Sequence, residues 1–340
     1  MMIQYDGGGV HLPELGLWLD PARRRVGPEK VFISHAHSDH IAAHREVILT
    51  EPTARLMQSR LGGKRVEHLL PFGEPRMFDG GRVPYQLTLW PAGHILGSAM
   101  AFIEADGQSL LYTGDFKLRP GLSAEPCEPC RADVLIMETT FGRPQYEFPP
   151  AQGVREQIIR FCRESLAEDA TPVLLCYSLG KSQELLAGLA GAGLPIALHE
   201  ATHKITKIYE HFGRSFPAYT LLSDGAAPGS VVICPPHSDA VGSLRRRGRT
   251  RAAVVTGWAL DPRCRYRYQT DAVFPLSDHA DFPELIEMVR RVAPNKVYTL
   301  HGYAADFAQA LRERGFDSQA LSEQEQFLLP LGRSAGLISP

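Results

Sequence analysis

The sequence predicts an α/β protein in which a small parallel-sheet domain is inserted into a larger sheet domain. Three observations lead to this prediction. Short apolar runs in the first and last parts of the chain are each followed by a side chain that can bind a metal ion. Between them, strand-like and helix-like segments alternate with the spacing of βαβ units. The last of the ligand-type side chains, His301, comes only after these segments, which indicates an inserted domain rather than an appended one.

The composition is that of an ordinary globular protein. With 340 residues the chain is long enough for two domains, and 44% hydrophobic and 22% charged residues exclude disordered and fibrous classes. The net charge of −2 gives no overall attraction for nucleic acid, which would need a local basic patch. No apolar stretch is long enough to span a membrane, and residues 1–10 lack signal-peptide features. We therefore expect a cytoplasmic protein that does not associate with membranes.

The first part of the chain reads as a series of short strands. Apolar runs bounded by Gly, Pro or Asp predict strands over 15–20, 31–34, 46–50, 86–90, 109–113 and 134–137, with another over 296–300. The segment 41–48 reads as a helix, which overlaps the start of the strand at 46. Ligand-type side chains follow several of these strands directly.

The most informative stretch is Val31–His40, which reads VFISHAHSDH. His35 and His37 are two residues apart on an extended segment, so their imidazoles point to the same side and can share one ion. Asp39 and His40 follow at once and can face a second ion close to the first. A solvated histidine-rich loop is the alternative, but so dense a ligand set after an apolar run favours a metal centre.

Other predicted strands are also followed by side chains that can bind a metal ion, namely His94, Asp115, Glu138 and His301. The ends of neighbouring strands converge on one rim of a sheet, so these side chains are expected to meet. Taken singly, an Asp or a His after a strand is usually a turn former or a helix cap. Their joint occurrence favours one site.

The middle of the chain has a different pattern. Pro144, Pro149 and Pro150 mark a linker, and residues 152–167 read as an amphipathic helix. Strands over 171–176, 195–198, 231–234 and 252–256 then alternate with helices over 181–189 and 202–212. This spacing predicts a small parallel sheet.

Basic residues of this middle part could bind a phosphate backbone. They are Arg245, Arg246, Arg247, Arg249 and Arg251 in one cluster, and Arg263, Arg265 and Arg267 in a second stretch. If the second stretch is a strand, its three guanidinium groups stand on one face and can follow a phosphate backbone. Lys181, after Gly180 at a predicted helix start, could hold another phosphate. The alternatives are solubilising arginines and an ordinary first-turn lysine.

A single CxxC pair, Cys127 and Cys130, stands out among the six cysteines. The sequence has no second CxxC pair that could complete a zinc ribbon. We therefore expect free thiols in a reducing cytosol rather than a metal or redox site.

In their order along the chain, these motifs resemble those of a known family. Asp20, His35-Ala36-His37-Ser38-Asp39-His40, His94 and Asp115 resemble the four-motif signature of the metallo-β-lactamase superfamily. Glu138, Ser277-Asp278-His279-Ala280-Asp281 and Leu300-His301-Gly302 resemble motifs A, B and C of the β-CASP nucleases. The stretches 176–183, Pro235-Pro236 and Thr256-Gly257-Trp258 are similar to the bacterial ligase-associated DNA exonuclease branch. Motif A has Phe141 where tyrosine is commoner, which keeps the carboxylate of the motif but drops a hydroxyl.

The resemblance implies a metallo-β-lactamase αββα sandwich, formed by residues 1–145 and 271–340, with an inserted small parallel-sheet β-CASP domain over 146–270. It implies two divalent ions, Zn²⁺ or Mn²⁺, with the ligands His35, His37 and His94 for the first, Asp39, His40 and His301 for the second, and Asp115 between them. Asp20 would orient the ligand loop. Glu138 and His279 would form a paired acid at the rim of the site.

The activity that the resemblance implies is phosphodiester hydrolysis. The ions would activate a bridging water for attack on phosphorus, with Asp39 at the metal centre and His279 as the candidate proton donor. The expected substrate is DNA that is single-stranded or has a free end, degraded from 5′ to 3′ in repair, in association with an ATP-dependent DNA ligase and a helicase. A ribonuclease is the alternative. A thioesterase or lactonase would not need the inserted domain, and a catalytically dead nucleic-acid-binding scaffold would not need the complete ligand set.

Overall fold

The computed structural model describes residues 1–222, 229–236 and 238–321, together with the backbone of 326–328. The elements before the insert are β1 (Met2–Asp6), β2 (Gly9–Leu12), β3 (Leu17–Leu19), β4 (Lys30–Phe32), β5 (Glu46–Leu49), α1 (Glu51–Leu61), β6 (Val66–Leu69), β7 (Arg76–Phe78), β8 (Tyr85–Pro91), β9 (Ala99–Ala105), β10 (Gln108–Tyr112) and β11 (Val134–Glu138). Each strand predicted in this part is confirmed, with ends that differ by a few residues at most.

The helix predicted over 41–48 is wrong. Residues 41–44 form an irregular loop, and Glu46–Leu49 form β5 between β4 and β6, parallel to both. Val47, Ile48 and Leu49 are all buried. A strand inside a parallel sheet is covered on both faces and accommodates such a run, whereas a surface helix buries one face only.

The insert alternates helices and strands, as its sequence predicts. Its elements are α2 (Ala151–Ala167), β12 (Thr171–Leu175), α3 (Lys181–Gly188), β13 (Ile196–Leu198), α4 (Glu200–His211), β14 (Thr220–Leu221), β15 (Val231–Cys234), α5 (Ala240–Arg247), β16 (Thr250–Val255), α6 (Cys264–Tyr268) and β17 (Ala272–Phe274). The chain then continues with α7 (Phe282–Val292), β18 (Lys296–Leu300), α8 (Ala304–Arg312), β19 (Ser318–Ala320) and β20 (Gln326–Leu328). Among the described residues, no helix is both long enough and apolar enough to cross a membrane.

The elements outside the insert build two seven-stranded sheets. Their strand orders are β20-β1-β2-β3-β4-β5-β6 and β19-β18-β11-β10-β9-β8-β7. The sheets share one apolar core, which contains Phe32 and Ile48 from the first sheet and Leu89 and Ile136 from the second. Helix α1 covers the outer face of the first sheet, and α7 and α8 cover the outer face of the second. This arrangement confirms the predicted αββα sandwich.

The insert has a six-stranded, all-parallel sheet of its own, with the order β14-β13-β15-β12-β16-β17. Because β17 pairs with β16, this sheet continues to Phe274, a few residues beyond the boundary expected at 270. The last part of the expected third segment, 322–325 and 329–340, lies outside the described residues. The residues that follow β12, β15 and β16 face the rim of the sandwich, so the carboxyl ends of the inserted strands lie at the interface between the domains.

The strand expected at Arg263, Arg265 and Arg267 is also wrong. This stretch forms α6, with Cys264 buried and Tyr266 exposed. In a helix, a residue two positions along the chain is turned by about 200°, so Arg265 does not share a face with the other two arginines. Alternating arginine and tyrosine therefore does not form a row of guanidinium groups here.

The insert packs on the sandwich beside the strand ends. Helix α4 lies against α1, and the hydroxyl of Tyr209 accepts a hydrogen bond from the amide of Leu96 at 3.3 Å. Gly180, just before α3, has a φ of +84°. A Cβ at this position would lie 2.3 Å from Cγ2 of Ile95. Glycine is therefore required both by its backbone conformation and by the close approach of the two domains.

We expect Gly180→Ala to lower the free energy of unfolding by about 1–3 kcal/mol, since it combines left-handed strain with overpacking. Gly191→Ala is the matched control, because Gly191 has a similar φ of +75° but open space where its Cβ would be. Denaturant unfolding of both variants checks the prediction. Equal losses of stability would show that contact between the domains at Ile95 contributes nothing.

Candidate metal centre

The ligand-type side chains predicted from the strand ends lie together in one place. His35, His37, Asp39 and His40 lie in the loop after β4, and the remaining ones follow β8, β10 and β18 or end β11. Three of these strands, β10, β11 and β18, are parallel neighbours, so their carboxyl ends lie side by side. The structure thus brings together residues from both sides of the insert.

One group of side chains has the spacing of ligands around a single ion. His37 Nδ1 lies 3.1 Å from His35 Nε2 and 3.0 Å from His94 Nε2. Asp115 Oδ2 lies 3.4 Å from His35 Nε2 and 3.8 Å from His94 Nε2. Around a tetrahedral zinc ion with bonds of 2.0–2.1 Å, ligand atoms are about 3.3 Å apart. These four residues fit that geometry.

The histidines of this group are neutral. Burial lowers the pKa of His94 most, and the neighbouring His279 and His37 lower it further. Burial likewise holds the pKa of His35 well below its ordinary value, with a further contribution from His40. Neutral imidazole is the form that binds metal ions, so this cluster can accept a cation without first losing protons.

A second group lies on the other side of Asp115. His40 Nε2 is 3.5 Å from Asp115 Oδ2 and 3.8 Å from Asp39 Oδ2. The ring of His301 is 5.6 Å from the ring of His40. The same oxygen of Asp115 therefore faces both groups and could bridge two ions. The Asp39 side chain is 77% exposed at the mouth of the site, where it can reach an ion or solvent.

Asp20 supports the second group from behind. Its Oδ2 lies 3.0 Å from His40 Nδ1 and accepts a hydrogen bond from the Tyr112 hydroxyl at 3.1 Å, while its Oδ1 accepts from the Ser34 amide at 2.7 Å. The contact with Nδ1 directs Nε2 of His40 toward Asp115. Burial acts to lower the pKa of His40, but Asp115 and Asp20 outweigh it and raise the pKa well above its ordinary value. Binding of a cation here would release that proton.

Glu138 and His279 lie beside the ligand groups and contact each other directly. His279 Nδ1 is 3.0 Å and 3.1 Å from the two carboxylate oxygens of Glu138, and Glu138 also accepts the Phe116 amide at 2.9 Å. Burial would lower the pKa of His279, but Glu138 and Asp115 raise it to about 10. His279 does not cap the nearby helix α7, because the cap is Asp281, whose side chain accepts the Glu284 amide.

The ligand groups form the floor of a cavity of about 620 Å³ between the two domains. The sandwich contributes Arg60 and Phe141, and the insert contributes Tyr177, Pro235 and Trp258. Arg60, at the end of α1, lies close enough to Asp39 to interact electrostatically. Sequence reasoning missed Arg60, since nothing in a helix-surface arginine indicates which loop it faces.

The basic residues expected to bind nucleic acid are not in one place. Lys181 is buried, and its Nζ pairs with Asp278 Oδ1 at 2.7 Å, so it is not the free phosphate ligand expected at a helix start. Arg245, Arg246 and Arg247 end α5 and precede β16, at the end of the inserted sheet opposite the cavity. Of the α6 arginines, Arg267 lies near Tyr177 and lowers its pKa against the larger raising effect of burial.

Among the described residues, neither cysteine of the CxxC pair belongs to a group of side chains that could hold a metal ion. All six cysteines of the chain are free thiols within the described residues. Burial raises the pKa of Cys127 to about 12 and that of Cys130 to about 11. Thiols that stay protonated at neutral pH are poor metal ligands.

Comparison with protein families finds a match at the end of the insert and in the chain after it. Residues 270–321 match the family described as "Zn-dependent metallo-hydrolase RNA specificity domain". The matched span begins just before β17 and contains both His279 and His301.

Comparison with curated proteins finds relatives over most of the chain. A probable DNA ligase of Opitutus terrae is 51% identical over 329 residues, which cover 96% of this chain and 32% of the ligase. The DNA cross-link repair protein SNM1 of Arabidopsis thaliana is 26% identical over 80% of this chain and 60% of its own length. The 5′ exonuclease Apollo of Gallus gallus is 28% identical over 88% of this chain and 64% of its own length. This chain therefore spans less than two thirds of each of these relatives.

Proposed function

This chain belongs to the β-CASP group of the metallo-β-lactamase superfamily, and on that premise we propose that it is a metal-dependent DNA exonuclease acting in repair. The observation that carries the proposal is the pair of ligand groups that share Asp115 at the floor of the cavity between the domains. Histidine-rich ligands suit zinc, and the mixed Asp and His group also accepts manganese.

Divalent ions at these ligands would lower the pKa of a coordinated water and neutralise charge that grows on the phosphoryl oxygens. The chain's own residues prepare the site for this chemistry. His35, His37 and His94 present neutral nitrogen atoms, and Asp115 supplies the negative charge between the groups. Asp39 stands at the open side, where the scissile phosphate would enter.

His279 is the proposed proton donor. Its Nδ1 is engaged by Glu138, which leaves Nε2 for the leaving oxygen or for a phosphate oxygen. With its pKa raised to about 10, His279 holds a proton at neutral pH. Glu138 fixes the ring orientation and stabilises the imidazolium form.

The cavity walls suit a nucleotide. Trp258 and Phe141 present aromatic rings with centroids 4.7 Å apart, and Tyr177 is 55% exposed at the mouth. Aromatic side chains beside a phosphate-directed site are typical of binding to single-stranded nucleic acid. Arg60 and Arg267 are the proposed contacts for phosphates outside the cleaved one. A small thioester or lactone would leave most of these walls unused.

The proposed direction of DNA degradation and the proposed partner proteins are inferred from the names of the relatives. A 5′ exonuclease among them supports degradation from the 5′ end, and a DNA cross-link repair protein supports DNA as the polymer. The similarity to part of a probable DNA ligase supports joint action with a DNA ligase. A helicase partner and the ATP dependence of the ligase stay predictions from the sequence. Free cysteines rather than disulfides support a cytoplasmic location.

Ribonuclease activity is the second candidate, favoured by the description of the matched family as an RNA specificity domain. An assay distinguishes the ribonuclease from the DNA exonuclease. The protein is incubated with Mn²⁺ or Zn²⁺ and with DNA or RNA of the same sequence, labelled at either end, and the rate of degradation is measured. We expect DNA to be degraded faster, with a 5′ label released first as a mononucleotide. Faster degradation of RNA would favour the ribonuclease, and cleavage of neither polymer would overturn the proposal.

Trp258→Ala is expected to weaken substrate binding rather than chemistry. Loss of one stacking contact is worth about 1–3 kcal/mol, so KM for single-stranded DNA should rise by about 5-fold or more. Hydrolysis of bis(p-nitrophenyl) phosphate, which has no base, should change little. Tyr266→Ala is the control, because this aromatic side chain is 83% exposed on α6 and does not line the cavity. An unchanged KM for DNA in Trp258→Ala would exclude Trp258 as a stacking surface.

A further inference from the structure

The insert touches the metal centre through the short segment between β12 and α3. Two contacts reach histidines of the first ligand group. The carbonyl oxygen of Leu179 lies 3.2 Å from His37 Nε2. Lys181 Nζ lies 2.7 Å from Asp278 Oδ1, and the backbone oxygen of Asp278 lies 2.8 Å from His94 Nδ1. The insert therefore contacts the His37 ring directly through Leu179, and it reaches the His94 ring only through Asp278, which lies in the chain after the insert.

The contact to His94 is of the kind that sets ligand geometry. A metal-binding histidine usually donates its second ring N–H to a carboxylate or a carbonyl, which fixes the tautomer and the ring direction. Here the Asp278 carbonyl accepts the hydrogen bond from Nδ1–H, and Nε2 points to His37 and Asp115. The position of residue 278 therefore decides where the Nε2 lone pair of His94 points.

Lys181 holds residue 278 in place. Both side chains are buried, with exposed fractions of 2% for Lys181 and 10% for Asp278. A buried ion pair of this length is strongly destabilised when one partner is removed, because the other charge remains without compensation. Lys117 is buried in the same region, but Glu184 raises the pKa of Lys117 more than Asp278 does. Lys117 therefore interacts more strongly with Glu184 than with Asp278. Lys181 is therefore the principal counter-charge of Asp278.

We infer that Lys181 is a positioning residue for the metal centre, and that through Asp278 it makes the affinity of the first ligand group for a metal ion depend on the inserted domain. The inference rests on the proposed metal-dependent function, but it concerns metal binding and not the substrate. It assigns the insert a role besides forming a wall of the cavity.

The test measures Zn²⁺ affinity of chelator-treated protein by competition with a chromogenic chelator. Lys181→Met should weaken binding by about 10–100-fold, the range for loss of a residue that supports a metal ligand. Lys181→Arg, which keeps the charge, should recover most of the affinity. Lys204→Met is the matched control, because Lys204 also joins the domains, through a 3.0 Å hydrogen bond to the Ser59 carbonyl, but touches no ligand.

Asp278→Asn provides a second route if Lys181→Met does not fold. It keeps the backbone carbonyl and removes the charge pair, so it should weaken Zn²⁺ binding by a similar factor. The double variant Lys181→Met/Asp278→Asn should be no weaker than the worse single variant, since both act through one pair. Wild-type Zn²⁺ affinity in Lys181→Met or in Asp278→Asn would overturn the inference. Tight Zn²⁺ binding by a wild-type protein that cuts no DNA would instead overturn the proposed function alone.

Discussion

Asp115→Asn should reduce phosphodiester hydrolysis by about 10³-fold or more, because it removes the charge of a carboxylate that faces both ligand groups. Asp115 Oδ2 lies 3.4 Å from His35 Nε2, 3.5 Å from His40 Nε2 and 3.8 Å from His94 Nε2. The amide of Asn keeps the shape of the side chain but not its charge. We expect steady-state hydrolysis of single-stranded DNA to be lost and Zn²⁺ affinity to fall, while the far-ultraviolet circular dichroism spectrum stays unchanged.

Asp317→Asn is the matched control for this substitution. Asp317 forms a surface ion pair with Lys296 at 2.6 Å, its side chain is 66% exposed, and neither residue lines the cavity. Hydrolysis by this variant should stay at the wild-type level. Asp39→Ala and His94→Ala should behave like Asp115→Asn if the ligand assignments are correct. Substantial activity in Asp115→Asn would rule out a bridging role for this residue.

The second large loss of activity is expected from substitutions in the pair formed by Glu138 and His279. Removing a positioned proton donor typically costs about 10²–10⁴-fold in rate, so His279→Asn should lose that much of kcat. Zn²⁺ affinity should change little, because His279 is not among the proposed ligands. Loss of metal together with activity would instead make His279 part of the metal centre.

Glu138→Gln tests the role of Glu138 separately from that of His279, through the pH dependence of kcat. Burial lowers the pKa of His279, and the negative charge of Glu138 is the leading cause that raises it to about 10. Without that charge the pKa falls, so the imidazolium loses its proton at a lower pH. The alkaline limb of the kcat profile should therefore move to lower pH in Glu138→Gln. A limb that stays in place would mean that Glu138 does not control the proton on His279.

Sequence patterns predicted the centre of this molecule well. Ligand-type residues after apolar runs had to converge, because the carboxyl ends of parallel strands lie at one edge of a sheet. The expectation that strand ends converge placed His94, Asp115 and His301 in one site, and in the structure they lie with the loop after β4. Burial then explains why the histidines of the first group are neutral, which spacing could not show.

The predictions from sequence that proved wrong concern segments whose local structure is decided by tertiary contacts. The helix predicted over 41–48 fails because residues 46–49 pair with β4 and β6 in the sheet, and helical periodicity in the sequence carries no information about this pairing. The alternating arginines of 263–267 form a helix because Cys264 packs into the insert while its neighbours stay exposed. Lys181 follows a glycine, as phosphate-binding lysines can, but its partner Asp278 comes 97 residues later. Such pairs cannot be read from a single sequence.

Titration of chelator-treated protein with Mn²⁺, with release of mononucleotides from 5′-labelled single-stranded DNA as the readout, tests the central claim most directly. The two ligand groups around Asp115 require hydrolysis to be absent without metal and to rise until two equivalents are bound. Wild-type rates without divalent metal, or no hydrolysis of DNA once two equivalents are bound, would contradict a two-ion exonuclease centre between the domains.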